Sequence, residues 1–369
     1  MKNKLSLYIH WPFCIKKCHY CDLNSHVDPH HNGIDYVDAI ITELIYYYNK
    51  FPNYIVNTIF FGGGTPSLMK SEWIKKIIDK ISELWESELY EITLEANPSN
   101  QECDLLGLKN AGINRISFGV QSFDDQTLLT LGRTHTANEA ITMIKKAQLI
   151  FDKVSIDLMY GLPNETLEII GLTLDKIIEL EIKHLSIYSL TIEKNTVFGQ
   201  MALELPDEDQ FCKTYELILE KTKLAKLQQY EISSFAMPGY ESQHNINYWE
   251  YGNWLGIGPG AHSRMKQSMY IENEKLPKKW LQKTQDFHYG SKAFGELSEL
   301  DIAKERLLMG LRQSCGMKVD LIKTLFGNEI IDKLNNLEII GDVSITENNV
   351  FITQYGFLRY NAIIRYLWD

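Results

Sequence analysis

Short apolar runs alternate with longer amphipathic stretches along most of this chain. Strand-like runs lie at Leu5–His10, Thr58–Phe61, Glu91–Glu95, Arg115–Val120, Val154–Leu158 and Leu185–Leu190. They are mostly rich in Ile, Val, Tyr or Phe, as strands buried on both faces are. Between them lie helical stretches at Tyr36–Lys50, Lys70–Trp85, Cys103–Asn110, Ala137–Phe151 and Leu167–Glu181. Ile74, Ile77, Ile78, Ile81 and Leu84 recur at the spacing of one helix face. This βα repetition predicts an α/β fold with a parallel sheet. Six strands rather than eight predict a partial (β/α)6 TIM-like barrel, with the functional groups at the C-terminal strand ends. Residues 1–240 are assigned to that barrel and 241–295 to a connecting segment.

Residues 296–369 read as a smaller C-terminal α+β domain. Leu300–Arg312 is helical, and shorter helical stretches follow at Leu321–Leu325 and Ile330–Leu337. Val343–Thr346 and Val350–Thr353 flank Glu347-Asn348-Asn349 as a hairpin, and Gly356–Leu367 closes the chain as a helix. Helices plus a hairpin predict a winged-helix-like module.

Composition narrows the class. The chain has 369 residues, 44% of them apolar, enough for a large core. A formal charge of −11 argues against a nucleic-acid partner, whose phosphates demand clustered Lys and Arg. No run of apolar residues is long enough for a transmembrane helix. The start, Met1-Lys2-Asn3-Lys4, runs into a strand rather than a signal-peptide core. A cytoplasmic location is expected, which suits reduced thiols.

The first strand-like run leads into Cys14, Cys18 and Cys21, spaced Cys-x3-Cys-x2-Cys. Three thiolates on one loop suit a [4Fe–4S] cube with one iron left open. Zinc is the alternative, with His19, His26, His30 or His31 as fourth ligand. No second zinc knuckle follows, and Cys103, Cys212 and Cys315 are solitary. The other strand ends carry Gly62-Gly63-Gly64-Thr65-Pro66, Glu95, Gln121 and Asp157. Glycines directly after Phe60-Phe61 let backbone approach a ligand closely. Asp157 interrupts an apolar run, where an unpaired carboxylate is costly.

Together these residues resemble a radical S-adenosylmethionine (SAM) protein of the oxygen-independent coproporphyrinogen dehydrogenase group. The cysteine loop is similar to that superfamily's motif, and Gly62–Pro66 resembles its Gly-Gly-Thr-Pro element. Gly119-Val120-Gln121-Ser122 and Asp157–Pro163 resemble two further motifs. The resemblance runs along nearly the whole chain. It implies Cys14, Cys18 and Cys21 as cluster ligands and SAM on the open iron through its amino and carboxylate groups. It further implies a reduced cluster that breaks a carbon–sulfur bond of SAM to give a 5′-deoxyadenosyl radical. By position, Tyr8 and the backbone near Tyr20 would flank the SAM, Gly63, Gly64 and Thr65 would meet its amino group, and Glu95 would hold a ribose or amino group. Gln121, Arg133 and Asp157 match positions that hold a second SAM in the dehydrogenase.

Two features separate the dehydrogenase from its sister group, the HemW-type heme chaperones. Dehydrogenases carry a fourth cysteine where this chain has Leu23, a Phe where it has Tyr20, and an N-terminal extension where it has thirteen residues before Cys14. His244-Asn245-Ile246-Asn247-Tyr248-Trp249 resembles the chaperones' His-Asn-x-x-Tyr-Trp motif. Leu255-Gly256-Ile257-Gly258-Pro259-Gly260-Ala261-His262 follows, a glycine-rich loop also typical there. His244, beside Tyr248, Trp249, Tyr251 and Trp254, is the heme candidate, since heme needs an axial ligand and an aromatic-lined wall; the same cluster suits core packing. The expected cofactors are a [4Fe–4S] cluster, SAM and heme. The expected partners are heme, a heme donor and recipient hemoproteins, with transient membrane association during delivery. The alternatives are a dehydrogenase turning coproporphyrinogen III into protoporphyrinogen IX, and a structural zinc protein on a barrel scaffold.

Overall fold

The computed structural model describes residues 3–28, 30–99 and 103–368. Six parallel strands run consecutively through one sheet: β1 (Asn3–Trp11), β2 (Tyr54–Gly63), β3 (Glu86–Ala96), β4 (Arg115–Gln121), β5 (Lys153–Tyr160) and β6 (His184–Ser189). Helices α1 (Gly33–Lys50), α2 (Ser71–Leu84), α3 (Leu105–Ala111), α4 (Asp125–Leu131), α5 (Ala137–Gln148) and α6 (Leu167–Glu179) fill the crossovers. β2 and β3 begin four and five residues before their expected starts, because the pleat continues into half-exposed positions such as Glu86–Tyr90, while β6 ends one residue early at Ser189. The short α4 lies in what periodicity leaves as a loop. Its Asp124 side chain caps the Thr127 N–H, and Gly132 closes it in the left-handed region at φ 73°.

Helix packing follows the sequence pattern. Ile74, Ile77, Ile78 and Ile81 of α2 are buried against the sheet, each worth about 2 kcal/mol relative to exposure. A capping box starts α5, with Thr136 and Glu139 satisfying each other's backbone N–H groups.

The sheet stays open. Beyond β6 it continues antiparallel into β7 (Gln228–Glu231) and β8 (Ser234–Ala236), reached through α7 (Glu208–Leu224). Residues 241–295 do more than connect. After α8 (Gln243–Trp249), β9 (Trp254–Ile257) pairs parallel to the free edge of β1. Strands β10 (His262–Met265), β11 (Met269–Asn273) and β12 (Ser291–Glu296) extend the sheet to twelve strands, with α9 (Pro277–Phe287) between the last two. The cause is local: all four residues of β9 are buried, so it needs a neighbour on the sheet.

The C-terminal part holds α10 (Glu299–Gly310), β13 (Met317–Lys318), α11 (Val319–Phe326), α12 (Glu329–Ile339), β14 (Val343–Ile345) and β15 (Asn349–Ile352). The three strands form a small sheet of their own. The closing helix breaks at Arg359 into α13 (Gln354–Leu358) and α14 (Tyr360–Trp368). This part is bolted to the large sheet by Arg312 on Glu231 at 2.8 Å and by Arg264 on Glu305 at 2.6 Å. A single cluster of buried apolar residues runs from Leu5 to Leu367. Among the described residues no helix is long and apolar enough to cross a membrane.

Candidate functional site

The cysteine loop leaves β1 and is closed at its base. The Cys14 N–H donates to the His26 carbonyl at 2.9 Å, and the His26 N–H donates to the Pro12 carbonyl at 2.7 Å. Its middle is pinned by the His19 N–H on the Leu131 carbonyl at 3.0 Å, and by the Phe198 N–H on the His19 carbonyl at 2.9 Å. Cys14, Cys18 and Cys21 are free thiols and line a cavity of about 590 Å³ at the C-terminal ends of the strands.

The cavity gathers nearly every residue the motifs single out. Tyr20, Gly63, Gly64, Thr65, Glu95, Gln121, Arg133 and Asp157 all line it with the three cysteines. The Thr65 hydroxyl donates to Cys14 Sγ at 3.4 Å, and Arg133 Nη1 donates to Cys18 Sγ at 3.2 Å. Arg133 Nη2 is held by Asn97 Oδ1 and the Gly119 carbonyl, each at 2.6 Å. Two glycines are sterically required. At Gly63, with φ 111°, a Cβ would stand 2.5 Å from the His10 ring, and at Gly64 it would stand 2.6 Å from the Phe13 carbonyl oxygen. Gln121 sits at φ 72° where β4 loses register with β5, a conformation few non-glycine residues adopt.

Burial sets the charge of the site. Glu95 is pushed up to about 8 by burial, then by the Asp157 carboxylate. Asp157 is raised to about 6 by burial, opposed by hydrogen bonds from Ser186 and Ser117 and by the Arg115 and Arg133 charges. Burial therefore pushes both carboxyls toward their neutral forms, Glu95 the further of the two. Burial also raises the Cys14 thiol, against the Thr65 hydrogen bond.

Tyr8 and His244 stand apart from this cavity. Both line a second chamber of about 210 Å³, deeper in the sheet, which shares Glu95, Asp157 and Tyr188 with the first. Tyr8 donates toward His10 Nδ1 at 2.9 Å. His244, expected as a heme ligand, is fully buried on α8. Its Nδ1 pairs with Thr58 Oγ1 and its Nε2 with the Tyr248 hydroxyl, both at 2.8 Å. Neither nitrogen is free for a metal in this conformation, because a buried imidazole satisfies both ends. Tyr248 and Tyr251 pack edge-on against Trp254, and Tyr248 also lines the second chamber.

The donor set suits a cluster. Three thiols face one cavity, and an arginine N–H and a threonine hydroxyl already point at two of the sulfurs, as hydrogen bonds to cluster thiolates do. Arg133 Nε is buried without a partner, leaving a donor aimed at no protein group. Among the described residues no three His, Cys, Asp or Glu side chains gather around a single ion position.

Sequence reasoning missed Asn97, Arg115 and Tyr188. Asn97 follows Glu95 by two residues on the same face, a period-2 signal that was available. Cys103, expected in a helix, lies just before α3 and lines the cavity.

An open βα sheet, a three-thiol loop after its first strand and a glycine turn after its second define a radical SAM protein. The Radical SAM superfamily profile matches residues 8–177. The heme chaperone HemW of Bacillus subtilis (strain 168) is 33% identical over 370 residues, 97% of each chain. The heme chaperone HemW of Escherichia coli (strain K12) is 44% identical over 268 residues, 71% of this chain and 70% of that one. The solved structure of coproporphyrinogen III oxidase (HemN) from Escherichia coli, a radical SAM enzyme, superposes with a TM-score of 0.85 at 24% identity. It covers 99% of this chain and 90% of that one, a likeness of fold. The chain belongs to the family of HemW heme chaperones.

Proposed function

We propose that this protein is a heme chaperone that binds a [4Fe–4S] cluster and SAM in the large cavity and hands heme to recipient hemoproteins. The observation that carries the reading is the convergence of Cys14, Cys18, Cys21, Gly63, Gly64, Thr65, Glu95, Gln121, Arg133 and Asp157 on one cavity. When bound, the cluster supplies one-electron chemistry and one open coordination position. Cys14, Cys18 and Cys21 hold it. Arg133 offsets thiolate charge at Cys18, and the Thr65 hydroxyl donates to Cys14. The side-chain-free turn at Gly63–Gly64 gives SAM close backbone approach, and Glu95 offers a carboxyl beside it. Gln121, Arg133 and Asp157 line the same cavity, with Arg133 reaching Cys18 of the cysteine loop itself, and the backbone near Tyr20 would flank the SAM.

Leu23, 54% exposed on the cavity lip, stands where the dehydrogenases place a further cysteine, which favours heme handling over porphyrinogen decarboxylation. The test is anaerobic. The cluster-loaded protein is charged with heme and mixed with an apo-hemoprotein, and the absorbance of the recipient is followed. A parallel reaction contains SAM, reductant and coproporphyrinogen III. Heme transfer without decarboxylated product is expected. Product formation would make this chain a dehydrogenase instead.

A further inference from the structure

The glycine-rich stretch 255–262 is not used by the reading above, and its surroundings assign it a task. Its anchor is Glu43 on α1, a fully buried carboxylate. Glu43 accepts the Gly258 N–H at 2.9 Å, the Gly290 N–H at 2.7 Å, the Asn273 amide at 3.1 Å and the Trp280 indole N–H at 3.2 Å. All four donors come from residues 241–295, and all are neutral. Burial raises the Glu43 carboxyl to about 7 and these hydrogen bonds oppose that rise, so its oxygens are satisfied without a cation. Asn273 Nδ2 also donates to the Gly258 carbonyl at 2.9 Å, so the turn at 258–260 is fixed at both its N–H and its C=O.

That turn presses on the cysteine loop. A Cβ at Gly258 would stand 2.5 Å from the His10 carbonyl oxygen, and one at Gly260 would stand 2.4 Å from Asn24 Nδ2. Asn24 lies three residues after Cys21. Its Nδ2 donates to the Pro259 and Lys275 carbonyls, both at 2.9 Å. Its own carbonyl pairs with His10 Nε2 at 2.9 Å, and its Oδ1 pairs with His26 Nε2 at 3.2 Å. The His26 carbonyl in turn accepts the Cys14 N–H. An unbroken chain of contacts therefore links Glu43, the 258–260 turn, Asn24, His26 and Cys14.

We propose that Glu43 and Asn24 are positioning residues for the cluster loop, with the glycine-rich turn as the rigid piece between them. This rests on the cluster reading. Glycine at 258 and 260 lets backbone reach β1 and Asn24, while Glu43 prevents the turn from drifting. The loop is thus braced from α1 and from the added strands beside β1.

The experiment compares the full chain with Asn24→Asp, Asn24→Ala and Glu43→Gln. Asn24→Asp keeps size and the acceptor toward His26 but removes both donors to the Pro259 and Lys275 carbonyls. Two readouts are taken: iron release to a chelator from the reconstituted protein, and hydrogen exchange of the Cys14 and His26 amides in the metal-free chain. Both Asn24 variants should release iron about tenfold faster or more, since Asn24→Asp loses two hydrogen bonds and Asn24→Ala three. They should exchange those amides about tenfold faster while the α2 and α5 amides stay unchanged. Glu43→Gln should match them if it folds. Wild-type exchange at Cys14 and His26 in Asn24→Asp would overturn the proposal. A wild-type chain that takes up no cluster would sink the cluster reading alone, and the exchange data would still decide the brace.

Discussion

The Gly63 N–H donates to Glu95 Oε2 at 3.1 Å, tying the glycine turn after β2 to the end of β3. This bond places a buried carboxyl directly under the backbone that can approach a ligand. It also brings Glu95 near Asp157, and the two carboxyls are driven apart in acidity.

A pH dependence follows. The Glu95 carboxyl, ordinarily at 4.5, is raised to about 8 in the folded chain. Its contribution is favourable below pH 4.5 and is lost as pH rises toward 8. The lowered histidines, His10 at about 4 and His135 and His244 at about 3, act in the opposite direction and fall silent above 6.5. Between pH 7 and 8 the metal-free wild type should therefore lose about 1 kcal/mol that Glu95→Gln retains. Chemical denaturation at the two pH values checks this, and parallel curves for the two chains would contradict it.

Arg133 bridges Cys18, Asn97 and the Gly119 carbonyl with one planar guanidinium. Lysine cannot reproduce that fork. Arg133→Lys should lower iron and sulfide content after reconstitution and shift the cluster's reduction potential. Wild-type content and potential would refute the bridging role.

His244→Phe should keep the aromatic volume but strand the Tyr248 hydroxyl and leave Thr58 Oγ1 with Ser6 alone, costing roughly 1 to 3 kcal/mol. Heme affinity and the heme spectrum should stay those of wild type. A lost axial-ligand signature at unchanged stability would return His244 to the metal.

How much of this was legible depends on period and range. The six parallel strands announced themselves as continuous apolar runs, and strand-end polarity marked Glu95, Gln121 and Asp157 before any coordinates. What pattern could not supply was partnership across distance. His244 carries a motif's signature, yet its burial depends on Thr58, 186 residues away. Residues 241–295 looked like a connector because β9 has four residues, too short to register until β1 offers an edge. Asn97 and Arg115 were passed over because neither interrupts an apolar run as Asp157 does.

The deeper chamber carries its own expectation. Arg115 Nη2, His184 Nδ1, Ser155 Oγ and Thr93 Oγ1 are buried there without partners. Polar, roomy cavities of this kind hold ordered water. A high-resolution crystal structure should show waters within hydrogen-bond reach of all four atoms; a dry chamber would contradict this reading.

The central claim is the cluster with an open iron. The direct measurement is iron and sulfide content after anaerobic reconstitution, with electron paramagnetic resonance of the reduced protein before and after adding SAM. The account predicts about four irons and four sulfides per chain, a spectrum that changes with SAM, and loss of both in Cys18→Ala. One zinc per chain with no sulfide would contradict it.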